Sequence, residues 1–379
     1  MKEGIDILID KTNWKKYRFD EMVQNVSERV EPSQTNLNIY VGLEHIDPDT
    51  LHLSRHGYPS DVEGTKLRFY KGDIIFGRRR AYQRKTALAT TDGICSAHAM
   101  VLRAKEEVVD SNFLPFLFHS KQFIDMAITI SVGGLSPTIN WKDISKQEFL
   151  LPPKDEQKRL AELLWAAEEM IEKEKKELEQ VLIEMRCIMR HFFQGEKQFK
   201  SIKDFGNVFT GSTPSTKNDH YWNGEYPFLT PSEIVDTLQP LSTNRTVTEE
   251  GLNAGRRIQE GDVLVTCVGE IGRLALANQT CCANQQINII SPHNKDIDSL
   301  YLYYNILHHR NILVNNSTKS VVPILVKSTF EEILLPDFSI DKKKHFLSIL
   351  LDAENSLQMI KKQIELSQQL KQEVINTVY

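Results

Sequence analysis

The sequence predicts an α/β protein of two similar domains in tandem, each followed by a long helix, with the two helices pairing as an antiparallel coiled coil. Three observations predict this. Gly72-Asp73-Ile74-Ile75-Phe76 returns about 189 residues later as Gly261-Asp262-Val263-Leu264-Val265. Other matches follow in the same order at offsets of about 184 to 189, which is the signature of a duplication. Two long stretches free of Pro and Gly carry apolar residues at alternating steps of four and three, the spacing of a coiled-coil seam. A chain of 379 residues, 40% hydrophobic and 26% charged, holds two ordinary cores comfortably.

The first domain is expected over 1–153. Its strand-like runs are Leu67–Tyr70, Ile74–Phe76 and Ala99–Leu102, and 111–128 reads as helix. Tyr40-Val41-Gly42-Leu43 precedes its Gly-Asp strand as Tyr226-Pro227-Phe228-Leu229 precedes the second. SPTINWKDISKQEFLLP (136–152) lines up without a gap against SVVPILVKSTFEEILLP (320–336), and both end in Leu-Leu-Pro.

The first long helix is expected over 154–194. Pro152-Pro153 stop anything upstream, Asp155 can cap the start, and Gly195 marks the end. Its seam runs Leu160, Leu164, Ala167, Ile171, Leu178, Val181, Met185, Ile188 and Phe192, with Glu174 as a charged break. The second domain follows over 195–336, with strands Val263–Thr266 and Ile287–Ile290 and a helical run 297–314. The second long helix occupies 337–379. Its seam runs Phe346, Leu350, Ala353, Leu357, Ile360 and Ile364 before Ser367 and Lys371 interrupt it. Each helix is about 36 residues, roughly 54 Å at 1.5 Å per residue. Coincident midpoints would bring Glu174 near Lys361; two unrelated surface charges are an equally good account.

Five cysteines form no C-x-x-C pair, and adjacent Cys281-Cys282 suit neither a simple disulfide nor a zinc knuckle. Free thiols in a reducing cytoplasm are expected. No apolar segment follows Met1 and no apolar run reaches membrane-span length, so neither a signal peptide nor a span is expected. There is no phosphate-binding glycine loop, no dinucleotide fingerprint, no Asn-Pro-Pro-Tyr or Asp-Pro-Pro-Tyr run and no metal-ligand spacing. No catalytic residue, metal or cofactor is assigned.

Net charge is −5, yet Lys66, Arg68, Lys71, Arg78, Arg79, Arg80, Arg84 and Lys85 crowd 65–85 against the single acid Asp73. Such segregation fits one basic face. Arg78, Arg79, Arg80, Tyr82, Gln83, Arg84 and Lys85 follow a strand. Arginine can fork onto guanine, glutamine onto adenine, and the other cations can hold phosphates; a solvated basic turn is the alternative, and three arginines in a row beside two more cations tip the reading toward nucleic acid. Ser136, Thr138 and Asn140 sit in the loop before the last strand of the first domain, matched by Ser320, Pro323 and neighbouring Lys319 in the second. The second domain offers Gly269-Glu270-Ile271-Gly272-Arg273 at the place of the arginines. It adds Asn284 and Gln285, whose amides read adenine edges or close loop hydrogen bonds with equal ease. Ser212, Thr213 and Tyr221 complete the candidates, although Tyr221-Trp222 serves a local aromatic core more often than a base-stacking platform.

The combination resembles the specificity (S) subunit of type I restriction-modification systems over essentially the whole chain. The resemblance is carried by Gly211-Ser212-Thr213-Pro214-Ser215 with Tyr221-Trp222-Asn223-Gly224, by Gly261–Val265 with Gly269–Gly272, and by Leu151-Pro152-Pro153-Lys154-Asp155-Glu156-Gln157. The first domain departs from it, with Arg78–Arg80 where a glycine-rich turn is usual. The resemblance implies two target-recognition domains, each reading half of a bipartite double-stranded DNA sequence, spaced by the helices. Roughly 54 Å of helix corresponds to about 16 base pairs at most. It also implies docking of two methyltransferase (modification) subunits that methylate adenine from S-adenosylmethionine, and of restriction subunits where these exist. This chain itself would be non-catalytic. A helical scaffold indifferent to base sequence and a single-chain DNA-modifying enzyme are the alternatives.

Overall fold

The computed structural model describes residues 9–195, 198–236, 238 and 243–379. Residues 1–8, on which the expectation of no signal segment partly rests, lie outside them. The chain forms two compact units, Met1–Glu177 with Ile360–Tyr379, and Leu178–Met359.

In the first unit Val23–Val26, Met100–Ala104, Ile74–Phe76 and Thr86–Leu88 pair in that order as an antiparallel sheet. A second sheet orders Arg29–Val30, Lys66–Phe69, Gly93–Cys95 and Tyr40–Val41, the last pair parallel. Lys15–Arg18 pairs antiparallel with Glu148–Leu151. The second unit repeats this, except that its second sheet has three strands, with Trp222–Leu229 between Thr246–Val247 and Cys282–Ala283. Gly206–Thr210, Ile287–Pro292, Val263–Thr266 and Leu274–Leu276 form the antiparallel sheet. Trp222–Leu229 meets Cys282–Ala283 in parallel, and Gln198–Ser201 pairs with Leu334–Asp337. The parallel pairs Tyr40↔Ile94 and Phe228↔Cys282 stand in the same relation, so the repeat extends to backbone register.

The Gly-Asp dipeptides have a local cause. Gly72 (φ 91°) and Gly261 (φ 83°) take the left-handed conformation that opens the turn into the strand. The following aspartates are buried and accept from backbone N–H groups three residues upstream, Tyr70 at 2.8 Å and Gln259 at 2.9 Å. Each is neutralised by one cation, Asp73 by the fork of Arg103 at 2.7 and 2.8 Å and Asp262 by Lys295 at 2.8 Å.

The Leu-Leu-Pro match is out of register by two residues. Phe19 N donates to Gln147 O and Ile202 N to Ile333 O, and the short helices Trp141–Ile144 and Lys327–Phe330 correspond. Leu150 therefore corresponds to Pro336, inside a strand. An apolar triplet at a strand's end carries too little information to fix a register when an insertion lies upstream. The helical runs 111–128 and 297–314 are each broken in two, as Leu114–Leu117 with Lys121–Thr129 and Lys295–His308 with Arg310–Asn315.

The two long helices are Lys154–Gln194 and Ile340–Val378, 41 and 39 residues rather than the expected length of about 36, and they pair antiparallel within each unit. Asp155 lies in the first turn rather than at the cap, and the helix starts on Pro153 O, which accepts from Glu156 and Gln157 N. The Gln157 side chain is buried. Its Oε1 accepts from Asp110 N at 2.7 Å and its Nε2 donates to Pro152 O at 2.9 Å, locking the helix start onto its domain. The corresponding Lys343 instead ion-pairs with Asp298 (2.8 Å) and Asp337 (2.6 Å).

In the first unit Leu164 and Ile171 are buried, Leu160 and Ile364 partly so. In the second, Met185, Phe346, Leu350 and Leu357 are buried, Leu178 packs against them, and Phe192 stacks on Phe346 at 4.0 Å. The charged positions do not break the seam. Glu168 and Lys371 are both buried and ion-paired; Glu168 also accepts from Thr50 Oγ1 at 3.1 Å and Leu51 N at 3.2 Å. Glu174 accepts from Ser367 at 3.2 Å, whereas Lys361 is exposed; the register is about one turn away from coincident midpoints. Midpoint matching ignores where each domain anchors its helix.

Candidate nucleic-acid interface

The basic turn leaves the end of strand Ile74–Phe76, where a chain with Arg78, Arg79 and Arg80 in succession must leave the core. Arg80 (φ 56°) and Arg84 (φ 54°) both adopt the left-handed conformation, on either side of the turn Ala81–Gln83. The matching strand Val263–Thr266 runs into Cys267-Val268-Gly269, and the left-handed places are held by Gly269 (φ 76°) and Gly272 (φ 84°). The backbone fixes this equivalence. Gly77 N donates to Lys85 O and Thr266 N to Arg273 O; Arg80 N donates to Pro137 O and Gly269 N to Pro323 O. Arg273 thus corresponds to Lys85, not to the arginine triplet, and Thr138 to Ile324, not to Ser320 or Pro323. For a residue with a Cβ the left-handed conformation costs ~1–2 kcal/mol. Such backbone outliers cluster at functional sites.

The structure joins the arginine turn to the loop before the last strand. Arg79 bridges Thr138, Ile139 N donates to Arg78 O at 3.0 Å, and the Arg80 guanidinium donates to Ser136 Oγ at 3.1 Å. Arg78 is half-buried and donates to Ala97 O at 3.3 Å. Arg79, Arg80, Tyr82 and Asn140 are exposed, and Gln83 is half-buried. Arg84 and Lys85 have structural work. Arg84 ion-pairs with Asp49 at 2.5 Å and donates to His119 O and Gln372 Oε1, both at 2.9 Å. Lys85 donates to Leu43 O at 2.6 Å. A run of cations in sequence does not reveal which side chains fold back, because that depends on carbonyls remote in the chain.

In the second unit Asn284-Gln285-Gln286 meets the same strand end, Cys267 N donating to Gln286 O at 2.8 Å. Thr213 Oγ1 donates to Gln285 Oε1 at 2.8 Å, and Ser212 O accepts from Cys282 Sγ. Asn284 closes its own loop, Oδ1 accepting from Gln286 N at 3.0 Å. Arg273 is ion-paired with Glu270. Lys319 and Ser320 are exposed in the loop that returns to Gly269. Tyr221 stands apart, beside the small aromatic cluster in which Trp222 packs edge-on to Phe228 at 5.1 Å under the Arg245 guanidinium.

Sequence reasoning missed Ser27, Arg29, Ala97 and His98. Ser27, Arg29 and Ala97 line a hollow of about 290 Å³ with Arg78, and exposed His98 adjoins Ala97. Ser96-Ala97-His98 corresponds to Asn284-Gln285-Gln286, and that correspondence was the signal available. The arrangement is a strand end ringed by hydrogen-bonding loops, cationic in one unit and mostly neutral in the other. Among the described residues there is no group of three or more His, Cys, Asp or Glu placed to hold a metal. Burial pushes the Cys95 and Cys281 thiols up to about 12 and Cys267 to about 11, so they stay protonated; all five cysteines are free. No helix among the described residues is long and apolar enough to cross a membrane.

Comparison with known proteins gives this geometry a context. Residues 12–182 and 194–372 each match the type I restriction modification DNA specificity domain. The type I restriction enzyme MjaIX specificity subunit of Methanocaldococcus jannaschii is 31% identical over 182 residues, 46% of this chain and 42% of that protein. The EcoDI specificity subunit of Escherichia coli is 32% identical over 169 residues, 43% and 37% of the two. The chain thus spans less than half the length of these curated relatives. The type I restriction-modification S subunit from M. genitalium shares the fold at a TM-score of 0.61 and 14% identity, covering 100% of this chain and 98% of that one. A chain from a structural study of complex assembly and conformational transition of the type I R-M system does so at 0.62 and 17%, covering 97% of each.

Proposed function

Since this chain belongs to the type I restriction modification DNA specificity family, we propose that it is the non-catalytic, sequence-reading subunit of a type I restriction-modification complex. Each unit reads one half of a split double-stranded DNA sequence, and the two long helices set the spacing and dock two methyltransferase subunits. Adenine methylation, and cleavage where restriction subunits join, belong to those partners. The protein works in the cytoplasm and needs no cofactor of its own.

One observation carries the reading. The equivalent strand end bears a turn flanked by two left-handed residues in both units, Arg80 and Arg84 in one and, in a turn one residue shorter, Gly269 and Gly272 in the other. A repeated frame with unlike loops is what two readers of unlike half-sites require, since base edges are read by side chains and position is set by phosphate contacts. Neither a sequence-indifferent scaffold nor a single-chain enzyme gains support from the comparisons.

The test is a map of methylated adenines in a host carrying the protein with its methyltransferase subunits, against a host lacking only this chain. A split motif present in the first and absent from the second is expected. Identical maps would remove the proposal.

A further inference from the structure

The loops that return to the two left-handed turns share a feature that the polar residues obscure. Leu135 is 96% exposed and Val321 is 103% exposed. They occupy one register position: each lies two residues before the proline whose carbonyl accepts from Arg80 N (2.8 Å) or Gly269 N (2.9 Å). Neither loop is slack. Val132 and Thr138 exchange both backbone hydrogen bonds at 3.0 and 2.9 Å, and Thr318 N donates to Ile324 O at 2.9 Å. Single exposed apolar residues are common and need no explanation. Two at matching tips, in loops whose other residues have diverged, on the faces carrying the candidate reading residues, are a different matter.

We propose that Leu135 and Val321 are the apolar base contacts of the two reading loops, each packing against bases of its own half-site. This rests on the DNA-reading function proposed above. The surroundings favour DNA over an apolar protein surface. No acidic residue occurs in 131–140 or 317–326, exposed Arg79 and Arg80 flank the first tip, and exposed Lys319 stands two residues before the second. A polyanion satisfies those cations while the tip leaves water. Bases offer apolar surface in two forms, the thymine methyl in the major groove and the ring faces of a partly unstacked step. Leucine and valine differ in reach, which suits two different half-sites.

The experiment uses the full chain with its co-expressed methyltransferase subunits and the split duplex found by adenine mapping. Leu135→Ser weakens binding roughly ten-fold, as expected for losing much of a buried leucine contact. Leu135→Lys also weakens it although it adds a cation, and Leu135→Met stays near wild type. Val321→Ser behaves like Leu135→Ser, and each variant loses discrimination in one half-site only. Deoxyuridine in place of thymine reproduces the loss for a methyl contact; brightening of 2-aminopurine with wild type but not Leu135→Ser marks insertion. Both support the proposal. Unchanged affinity in both serine variants overturns it. So does tighter binding by Leu135→Lys, which places the tip beside phosphates. Loss of methyltransferase co-purification at unchanged DNA affinity overturns it too, assigning the tips to a protein. Wild-type melting temperatures in these exposed variants exclude misfolding. If the wild-type complex binds no split duplex, the DNA-reading function fails instead.

Discussion

Arg80 is where stability and binding come apart. Its backbone is left-handed, and its guanidinium makes one exposed hydrogen bond, to Ser136 Oγ at 3.1 Å. Arg80→Ala keeps the left-handed cost and loses that bond, about 0.5–1 kcal/mol. Arg80→Gly loses the same bond but sheds the ~1–2 kcal/mol conformational cost, against about 0.5–1 kcal/mol for the freer unfolded chain. Arg80→Gly is therefore about 0.5–1 kcal/mol more stable than Arg80→Ala and close to wild type. Both lose DNA affinity alike, and both flatten the dependence of log K on log salt by about one unit if Arg80 neutralises one phosphate. Thermal melting by tryptophan fluorescence suits the stability comparison, since Trp14, Trp141 and Trp165 lie in the first unit and Trp222 alone in the second. A separation of roughly 1–4 °C is expected. Arg84→Gly is the internal control. It relieves the same backbone cost but breaks the links to Asp49, His119 and Gln372, so it lowers the melting temperature. Equal melting of Arg80→Gly and Arg80→Ala would refute the backbone argument, and an unchanged salt slope would refute the phosphate contact.

Two further outcomes follow from the buried polar seam of the first unit. Lys371→Met leaves buried Glu168 without its counter-charge, held only by Thr50 and Leu51, and costs about 3–5 kcal/mol, whereas Glu168→Leu with Lys371→Met recovers most of it; urea unfolding of the three proteins checks this, and a single-variant loss below about 1 kcal/mol contradicts it. His119 is fully buried, and burial first, then the charge of Lys371, lower its pKa from 6.5 to about 3, with Glu168 opposing and Arg84 assisting. The unfolded chain takes up a proton below about pH 6.5 that the folded chain refuses, so stability falls as pH drops from there toward 3, by about 1.4 kcal/mol per unit. His119→Gln should show a shallower loss between pH 7 and 5; parallel curves for the two proteins would refute the assignment.

Much of this was legible because periodicity is local. The Gly-Asp turns, the strands after them and both long helices follow from neighbouring residues, and the duplication allowed each half to confirm the other. The basic turn was legible as composition. Its division was not: Arg79 and Arg80 face solvent while Arg84 and Lys85 brace the fold, and Leu43, His119 and Gln372 lie too far along the chain for spacing to indicate. Register between the halves slipped by two residues because the Leu-Leu-Pro likeness outweighed a proline pair, Pro137 with Pro323, that only backbone hydrogen bonds identify. Lys371 looked like an interruption because a charge in a seam is costly alone; its partner Glu168 is on the other helix.

By itself the sequence determined that two alike α/β halves each end in a long amphipathic helix, since turn chemistry and apolar spacing act within a few residues. The tertiary structure decided which cations stay exposed to solvent, that Arg80 takes a glycine's conformation, and that Leu135 and Val321 crown equivalent loops. Those outcomes depend on hydrogen bonds and packing between segments remote in the chain, where no local pattern reaches.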